Sequence, residues 1–561
     1  METENEESST TEKIPTAEEL IPAPDSIGER KKSIKNFFTK WIKDDYDKLF
    51  LIVLIAAFII RIIVFTKTQD QALWWDAADY LASAKRWAGF NPHLIDMWYY
   101  RRGFLWPLIS TIFFKVGLGE IGIRFLVVLL STGIVFITYL LVTEMFNKKL
   151  ALLTSIGVTF SWIFLFFTGR PLTNLPATFF FLTALLFFWK GYVNNKGKKY
   201  FYLFGIFYAL AILIRMQYLM FGLSFLALAI VKEKLAFFKN KGLWIAIMMF
   251  IIILTPQIIL HNMHFGNPLL DLTNYYLGVE GVSKTGEVGV ELAKTSDLFV
   301  YINNLPYILD ANQQGYSTLF IISPLFILFV IGFFLFFIDL FLGFDKIFKN
   351  KLIQKKFFIF FWIISTFLFL GYIAPHLEQR YIMPIVPFLF FLVVYPLTLI
   401  TPYLKKFNLK NTTIILILSI ILILLLISNI KFGFSLIESK ENSYSEIKQA
   451  GLWVKQNSNP EDIIIGGSLP QLTYYSERST YPFDLAYRRD LPNLNETDLD
   501  KFILENRPKY FILSIYEYQE PWVFAYPEKH KDILTPVQGY GLQNQPILVI
   551  YKFNYDKITS L

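Results

Sequence analysis

Hydrophobic residues in this chain are gathered into long blocks instead of alternating with polar ones. Blocks of about 17–25 residues are the length a helix needs to cross a hydrocarbon core of roughly 30 Å. They fall near 49–66, 121–146, 149–168, 172–190, 200–215, 216–231, 243–262, 317–340, 357–374, 381–400 and 412–430. The pattern predicts about eleven transmembrane helices. The segments between them alternate in character. One set, NKK (147–149), NNKGKK (194–199), KEKLAFFKNK (232–241), DKIFKNKLIQKK (345–356) and KKFNLK (405–410), is short and basic. The positive-inside rule places that set in the cytoplasm, together with the basic stretch ERKKSIKNFFTKWIK. The other set, 67–120, 169–172, about 215–216, 263–316, 375–380 and 431–561, is then outside, and an odd number of spans puts the C-terminus there too.

Three stretches break the block pattern. Residues 1–48 are polar and then basic, and the first thirty or so read as disordered. No short apolar run follows a basic start, so the block at 49–66 is expected to serve as a signal anchor. The run from Arg102 to Lys115 is apolar but short and contains Pro107, which suggests an interfacial or re-entrant helix. From about residue 440, SYSEIKQAGLWVKQN and LDKFILEN read as amphipathic helices, and DIIIGGS, KYFILSI and ILVIYKF as strands. The expected organisation is a basic cytoplasmic segment 1–48, a polytopic membrane domain 49–430 with long outer loops 67–120 and 263–316, and an extracytoplasmic α/β domain 431–561. Asn495-Glu496-Thr497 is a glycosylation sequon in that last part.

Composition adds little to this outline. The chain is 54% hydrophobic and 18% aromatic, far too apolar for a soluble protein of 561 residues. The net charge of +8 is accounted for by the basic cytoplasmic connections, so nucleic acid is not an expected partner. The absence of cysteine excludes disulfides, thiol nucleophiles and thiolate metal sites. No Walker loop, GxGxxG or convincing GxSxG motif supports a nucleotide cofactor or a hydrolase serine.

The candidate chemistry lies in the outer segments. In WWDAADY (74–80), a helix would put Asp76, Asp79 and Ser83 on one face, with Tyr80 one turn from Asp76. Trp74 and Trp75 would anchor the segment at headgroup level. A carboxylate partly desolvated there is expected to have a raised pKa and to suit a general base. The competing reading is a solvated helix with ordinary surface acids. Basic residues recur at predicted outer helix ends: Arg101, Arg102, Arg170 in GRPLTNLP with Asn174, Arg215 in LIRMQ, and Arg380 in HLEQRYIMP with Tyr381. Each alone reads as a snorkelling arginine. Several converging on Asp76 would form a phosphate-binding pocket, because guanidinium groups grip phosphate bidentately. All five histidines (His93, His261, His264, His376, His530) fall on this side, either as a working face or because large loops hold more polar residues. His376, Glu378 and Asp76 are candidates for a divalent cation, although HLE matches no metal motif and HExxH is absent. No cofactor is otherwise expected.

Four stretches carry a family likeness. WWDAADYLASAKRWAGF, RRGFLWPLISTIFFKVGLGEIGIRF, HNMHFGNPL and HLEQRYIMPIVPFLF occur in that order between 74 and 394. In this the chain resembles the GT-C fold integral-membrane glycosyltransferases, in particular the branch of dolichyl-phosphate-mannose protein mannosyltransferases and the bacterial lipid A aminoarabinose transferase. The resemblance implies transfer of a sugar from a polyprenyl-phosphate donor to a hydroxyl of a protein, lipid or glycan acceptor at the outer face of the bilayer, with inversion. It puts Asp76 in the place of the family's first acid and Arg102 at the basic position. Arg380 takes the arginine of the Arg-Tyr pair. The family's second acid falls at Ala77 and its prolines at Gly103-Phe104, so Asp79 is the candidate substitute. The expected site is therefore Asp76 and Asp79, with Tyr80, Arg102, Arg170, Asn174, Arg215, His376, Glu378, Arg380 and Tyr381 around the substrate. A transporter or flippase for lipid-linked sugars, or an oligosaccharide ligase of another membrane fold, are the rival readings.

Overall fold

The computed structural model describes residues 44–96, 102–268, 298–310, 324–373, 378–483, 496–517, 519–542 and 545–557. The loop 263–316 and the stretch holding His376 therefore lie largely outside the described residues, as do Arg101 and Asn495.

The described part of the membrane region is mainly helical. In chain order it contains α1 (Asp45–Thr68), α2 (Trp75–Ala88), α3 (Leu105–Lys115), α4 (Gly119–Met145), α5 (Lys148–Phe160), α6 (Trp162–Phe167), α7 (Asn174–Phe188), α8 (Lys199–Ile214), α9 (Gly222–Glu233) and α10 (Lys241–Phe265). There follow α11 (Val300–Asn303), α12 (Leu305–Asp310), α13 (Pro324–Leu342), α14 (Lys351–Ile373), α15 (Val386–Leu399), α16 (Thr401–Lys405), α17 (Asn411–Leu425) and α18 (Ile427–Ser439).

Helices stand at every predicted block, but they are not eleven equal spans. Among the described residues seven are long and apolar enough to cross a membrane, or eight if α17 and α18, bent by 41°, count as one. The shortfall has local causes. The block 149–168 is broken at Ser161, whose backbone is extended. The adjoining blocks 200–215 and 216–231 are separated by the extended Arg215 and a 3-10 stretch, leaving helices of 16 and 12 residues. The run 102–115 is α3, of 11 residues, as its length suggests.

Phenylalanine and leucine fill the bundle core, and close helix crossings depend on small residues. Gly332 in α13 is one: a Cβ there would lie 1.8 Å from the Leu392 carbonyl oxygen of α15. The basic connections gather at one end of the bundle. Lys148 pairs with Asp44 and Asp47 at the start of α1, Lys196 with Glu144, and Lys355 donates to the Met145 carbonyl. Their clustering agrees with the alternation read from charge.

At the opposite end, where α1 finishes, sits a small α/β unit. It contains α19 (Ser445–Gln456), β1 (Ile463–Gly466), α20 (Leu469–Ser476), β2 (Ser479–Tyr481), α21 (Glu496–Asn506), β3 (Tyr510–Ser514), α22 (Pro521–Lys529), β4 (Leu534–Leu542) and β5 (Gln545–Phe553). The sheet order is β2-β1-β3-β5-β4, parallel for β2-β1-β3 and antiparallel for the rest. This unit docks on α2. The Leu73 amide donates to the Tyr475 hydroxyl at 2.7 Å. Lys85 reaches the Tyr474 carbonyl at 3.0 Å and Glu477 at 2.9 Å, and Asn91 donates to the Glu477 and Pro460 carbonyls.

Candidate functional site

The site begins with α2. Its alanines (77, 78, 82, 84) are nearly inaccessible, which lets the helix lie deep against α3 and α20. With the helix formed, Asp76 and Asp79 share a face as the spacing predicts. Asp79 is 3% exposed and Asp76 is partly open, at 29% for its side chain.

Arg102 reaches both acids. One terminal nitrogen lies 3.0 Å from Asp76 Oδ1 and the other 2.9 Å from Asp79 Oδ2. Arg380 approaches from the far side of the chain, 304 residues away in sequence, and meets Asp76 Oδ2 at 3.0 Å. Its Nε lies 3.0 Å from Glu378 Oε2. Asp76 thus uses one oxygen for each of two arginines. Tyr80 lies beside the Arg102 guanidinium, 5.1 Å from ring centre to Cζ.

The flanking residues hold these cations in place. Asn174 Nδ2 donates to the Arg380 carbonyl at 3.3 Å. The Tyr381 ring faces both Arg215, at 4.8 Å, and Arg380, at 5.6 Å. Arg215 bonds Gln217 at 2.6 Å and Thr173 at 3.2 Å. Its charge, like those of Arg102 and Arg380, acts on Asp76.

Burial works to raise the Asp76 carboxyl, but the charges of Arg102, Arg380 and Arg215 outweigh it and hold it well below the usual carboxylate range. The expectation of a raised pKa is thus overturned, because the arginines arrive from parts of the chain that a local reading does not bring together. Asp76 is ionised at any ordinary pH.

Arg170 departs from the expected site. It stacks on Trp74 and Phe166, with Cζ 4.8 and 4.0 Å from the ring centres, and donates to the Phe166 carbonyl. No contact joins it to Asp76, Arg102 or Arg380 among the described residues. The outer turn TGRP folds back on α6 and directs this side chain toward aromatic walls. His376 lies outside the described residues. Among the described residues no three His, Cys, Asp or Glu side chains gather as a metal site.

Three contributors escape a reading of titratable residues. Gly103 is one: a Cβ would lie 1.8 Å from the Leu213 carbonyl oxygen, so the Arg102 turn presses directly on the end of α8, two residues before Arg215. That contact explains a glycine where the family likeness leads one to expect proline. Gln257 in α10 is another. Its Oε1 accepts from the Phe104 amide at 3.2 Å, and its Nε2 faces the Arg102 carbonyl at 3.4 Å and His261 Nε2 at 2.7 Å. The sequence does carry a signal for this pair, since Gln257 and His261 are spaced i, i+4 in an apolar helix. Tyr301 is the third, its hydroxyl meeting the Glu378 backbone at 3.2 and 3.3 Å.

A multi-span helical bundle with a small sheet-bearing unit at one end is the architecture of a membrane protein of the GT-C fold. The structure of ArnT from Cupriavidus metallidurans in the apo state superposes with a TM-score of 0.61 at 12% identity, covering 89% of this chain and 97% of that one. The same protein bound to undecaprenyl phosphate gives 0.59 at 12% identity over the same shares. The Archaeoglobus fulgidus oligosaccharyltransferase tethered with an acceptor peptide gives 0.55 at 13% identity, covering 84% of this chain and 69% of that one. Residues 101–260 match the family described as dolichyl-phosphate-mannose-protein mannosyltransferase, a segment that runs from Arg102 through Arg170 and Arg215 to Gln257. No curated protein matches by sequence.

Proposed function

We propose that the protein is an inverting membrane glycosyltransferase, taking its sugar from a polyprenyl-phosphate donor at the outer face of the bilayer. The observation that carries this reading is the sharing of one partly open carboxylate, Asp76, between Arg102 and Arg380. The arrangement suits the phosphodiester of a lipid-phosphate sugar, whose two non-bridging oxygens can replace those of Asp76 on the two guanidinium groups. Arg215, held beside Arg380 by Tyr381, supplies a third positive charge. The family match and the ArnT structure with undecaprenyl phosphate support a lipid-phosphate donor.

In this mechanism the donor phosphate draws the arginines off Asp76. The carboxylate loses the charges that depress its pKa and regains basicity. It then takes the proton of the acceptor hydroxyl as that oxygen attacks the anomeric carbon opposite the phosphate. The bond to phosphate breaks with its electron pair, and the arginines stabilise the charge that develops on the leaving oxygens. Asp79 stays on Arg102 and keeps it aligned. Asn174 and Gln257 fix the backbones that carry Arg380 and Arg102. By the positive-inside rule, the end bearing the α/β unit faces outward.

The test is binding of the lipid phosphate that the donor carries and the reaction releases. Arg102→Ala and Arg380→Ala should each weaken binding of polyprenyl phosphate in nanodiscs by at least tenfold, while Arg170→Ala leaves it within about twofold. Equal affinity for wild type and both arginine variants would refute the phosphate assignment.

A further inference from the structure

The lysines at the end of the bundle opposite the α/β unit are not all alike. Lys148 and Lys196 are neutralised by acids, and so is Lys356, by Asp339 at 2.6 Å. Lys346 and Lys349, in the loop between α13 and α14, and Lys351, at the start of α14, are exposed and make no ion pair among the described residues. Together with Asp345 and Asn350 they line an open cavity of about 760 Å³. Asp345 is the single acid in its wall.

Other elements bring more positive charge to this wall. The Lys351 charge acts on Lys232, at the end of α9, and on Lys355, one turn further along α14. Lys234 lies over the Phe348 ring, with Nζ 5.6 Å from its centre, which sets the stretch 234–239 beside the loop 343–350. Lys232 has Glu233 at 3.5 Å and Lys355 has the Met145 carbonyl, so the uncompensated charge stays with the loop lysines. Asn350 caps α14, its Oδ1 accepting from the Leu352 and Ile353 amides, and the helix dipole adds positive potential at the same place. Large apolar side chains stand exposed around the cavity. Leu342 is 81% exposed, Phe344 58% and Phe348 50%, and Leu235 and Phe238 are exposed on the neighbouring stretch.

We propose that this cavity binds the phosphate headgroup of an anionic membrane lipid, with Lys346, Lys349 and Lys351 around the phosphate and Phe344 and Phe348 against the acyl chains. Two requirements select the occupant. Like charges lining one cavity favour an anion, and exposed phenylalanines favour cover from water. A free phosphate meets the first requirement and leaves the rings bare. A zwitterionic lipid covers the rings and brings no net charge. An anionic lipid meets both, and a cavity of this size has room for its headgroup. The position agrees. The loop joins the ends of two spanning helices, at headgroup level, and the positive-inside rule puts it at the cytoplasmic leaflet, where anionic lipids attract lysine. The site lies at the other end of the bundle from Asp76 and does not depend on how the acid–arginine cluster works.

The experiment is titration of the purified full-length protein in detergent with dioleoyl phosphatidylglycerol, dioleoyl phosphatidylcholine and inorganic phosphate, with bound molecules counted by native mass spectrometry. The first phosphatidylglycerol should bind about tenfold or more tightly than the first phosphatidylcholine, and inorganic phosphate at the same concentration should not displace it. Lys346→Ala, Lys349→Ala and Lys351→Ala combined should remove most of that preference, and the same three positions changed to arginine should keep it. Lys405→Ala, Lys406→Ala and Lys410→Ala combined take the same charge from another exposed basic connection, and should leave the preference within about twofold of wild type. Equal binding of the two lipids, equal loss in both alanine variants, or displacement by inorganic phosphate would overturn the assignment.

Discussion

The two ends of α2 are built for different work. At its N-terminal end, Asp76 is partly open and faces cations that approach from the turn before α3, at Arg102, and from the segment before α15, at Arg380. At its C-terminal end, Lys85 is closed in by the α/β unit, with Glu477 at 2.9 Å and the Tyr474 ring at 4.0 Å. One end holds partly open ion pairs, which in the proposed mechanism the donor phosphate exchanges. The other holds a pair, 11% and 10% exposed, that nothing in solution reaches easily. The comparison teaches that the α/β unit, which grips α2 and its flanks at Leu73, Lys85 and Asn91, sets where the cluster's helix lies.

The comparison can be broken from either end. The largest effect belongs to Asp76→Asn, which removes the proposed base and should lower sugar transfer by roughly 10²–10⁴-fold with little loss of folded protein. Next comes Arg380→Ala. Losing a cation at the leaving phosphate should lower turnover by roughly 10²–10³-fold, read in single-turnover assays with saturating donor. At the other end, Lys85→Met leaves Glu477 buried with only Lys455, 2.7 Å away. It should cost about 3 kcal/mol of stability, seen as a lower denaturation midpoint, while turnover per folded molecule falls less than in either site variant.

The smallest effect concerns Asp310, away from both ends of α2. Burial pushes its carboxyl up to about 6, opposed in part by the Leu325 and Phe326 amides that it accepts at the start of α13. Its folded value lies above the unfolded one, so the folded state prefers the proton. Stability should fall as pH rises from about 4 through 6 and then level off. Asp310→Asn should flatten that slope in a pH series of unfolding curves.

Much of this architecture is legible in the chain because the bilayer imposes a length rule. The blocks follow from it, the basic connections from the positive-inside bias, and the pairing of Asp76 with Asp79 on one face from the helical period. The parts that escaped depend on packing between distant segments. Arg170 and Arg380 look alike in sequence, each a lone arginine near a helix end. Only the fold sends one to Asp76 and the other between Trp74 and Phe166. The depressed Asp76 carboxyl has the same origin, since Arg215 and Arg380 reach it from far along the chain. Gly103 carries no chemistry of its own, and its role is visible only once Leu213 stands against it. The strands β2 and β4 were missed because neither is a continuous apolar run: Ser479–Tyr481 is three residues long, and Leu534–Leu542 contains Pro536 and two glycines.

The most direct measurement is transfer of radiolabelled sugar from a polyprenyl-phosphate donor mix in membranes, comparing wild type, Asp76→Asn and Asp79→Asn at matched expression. The account predicts transfer by wild type, near-complete loss with Asp76→Asn and a smaller loss with Asp79→Asn, which only aligns Arg102. Full activity in Asp76→Asn, or loss confined to Asp79→Asn, would contradict it.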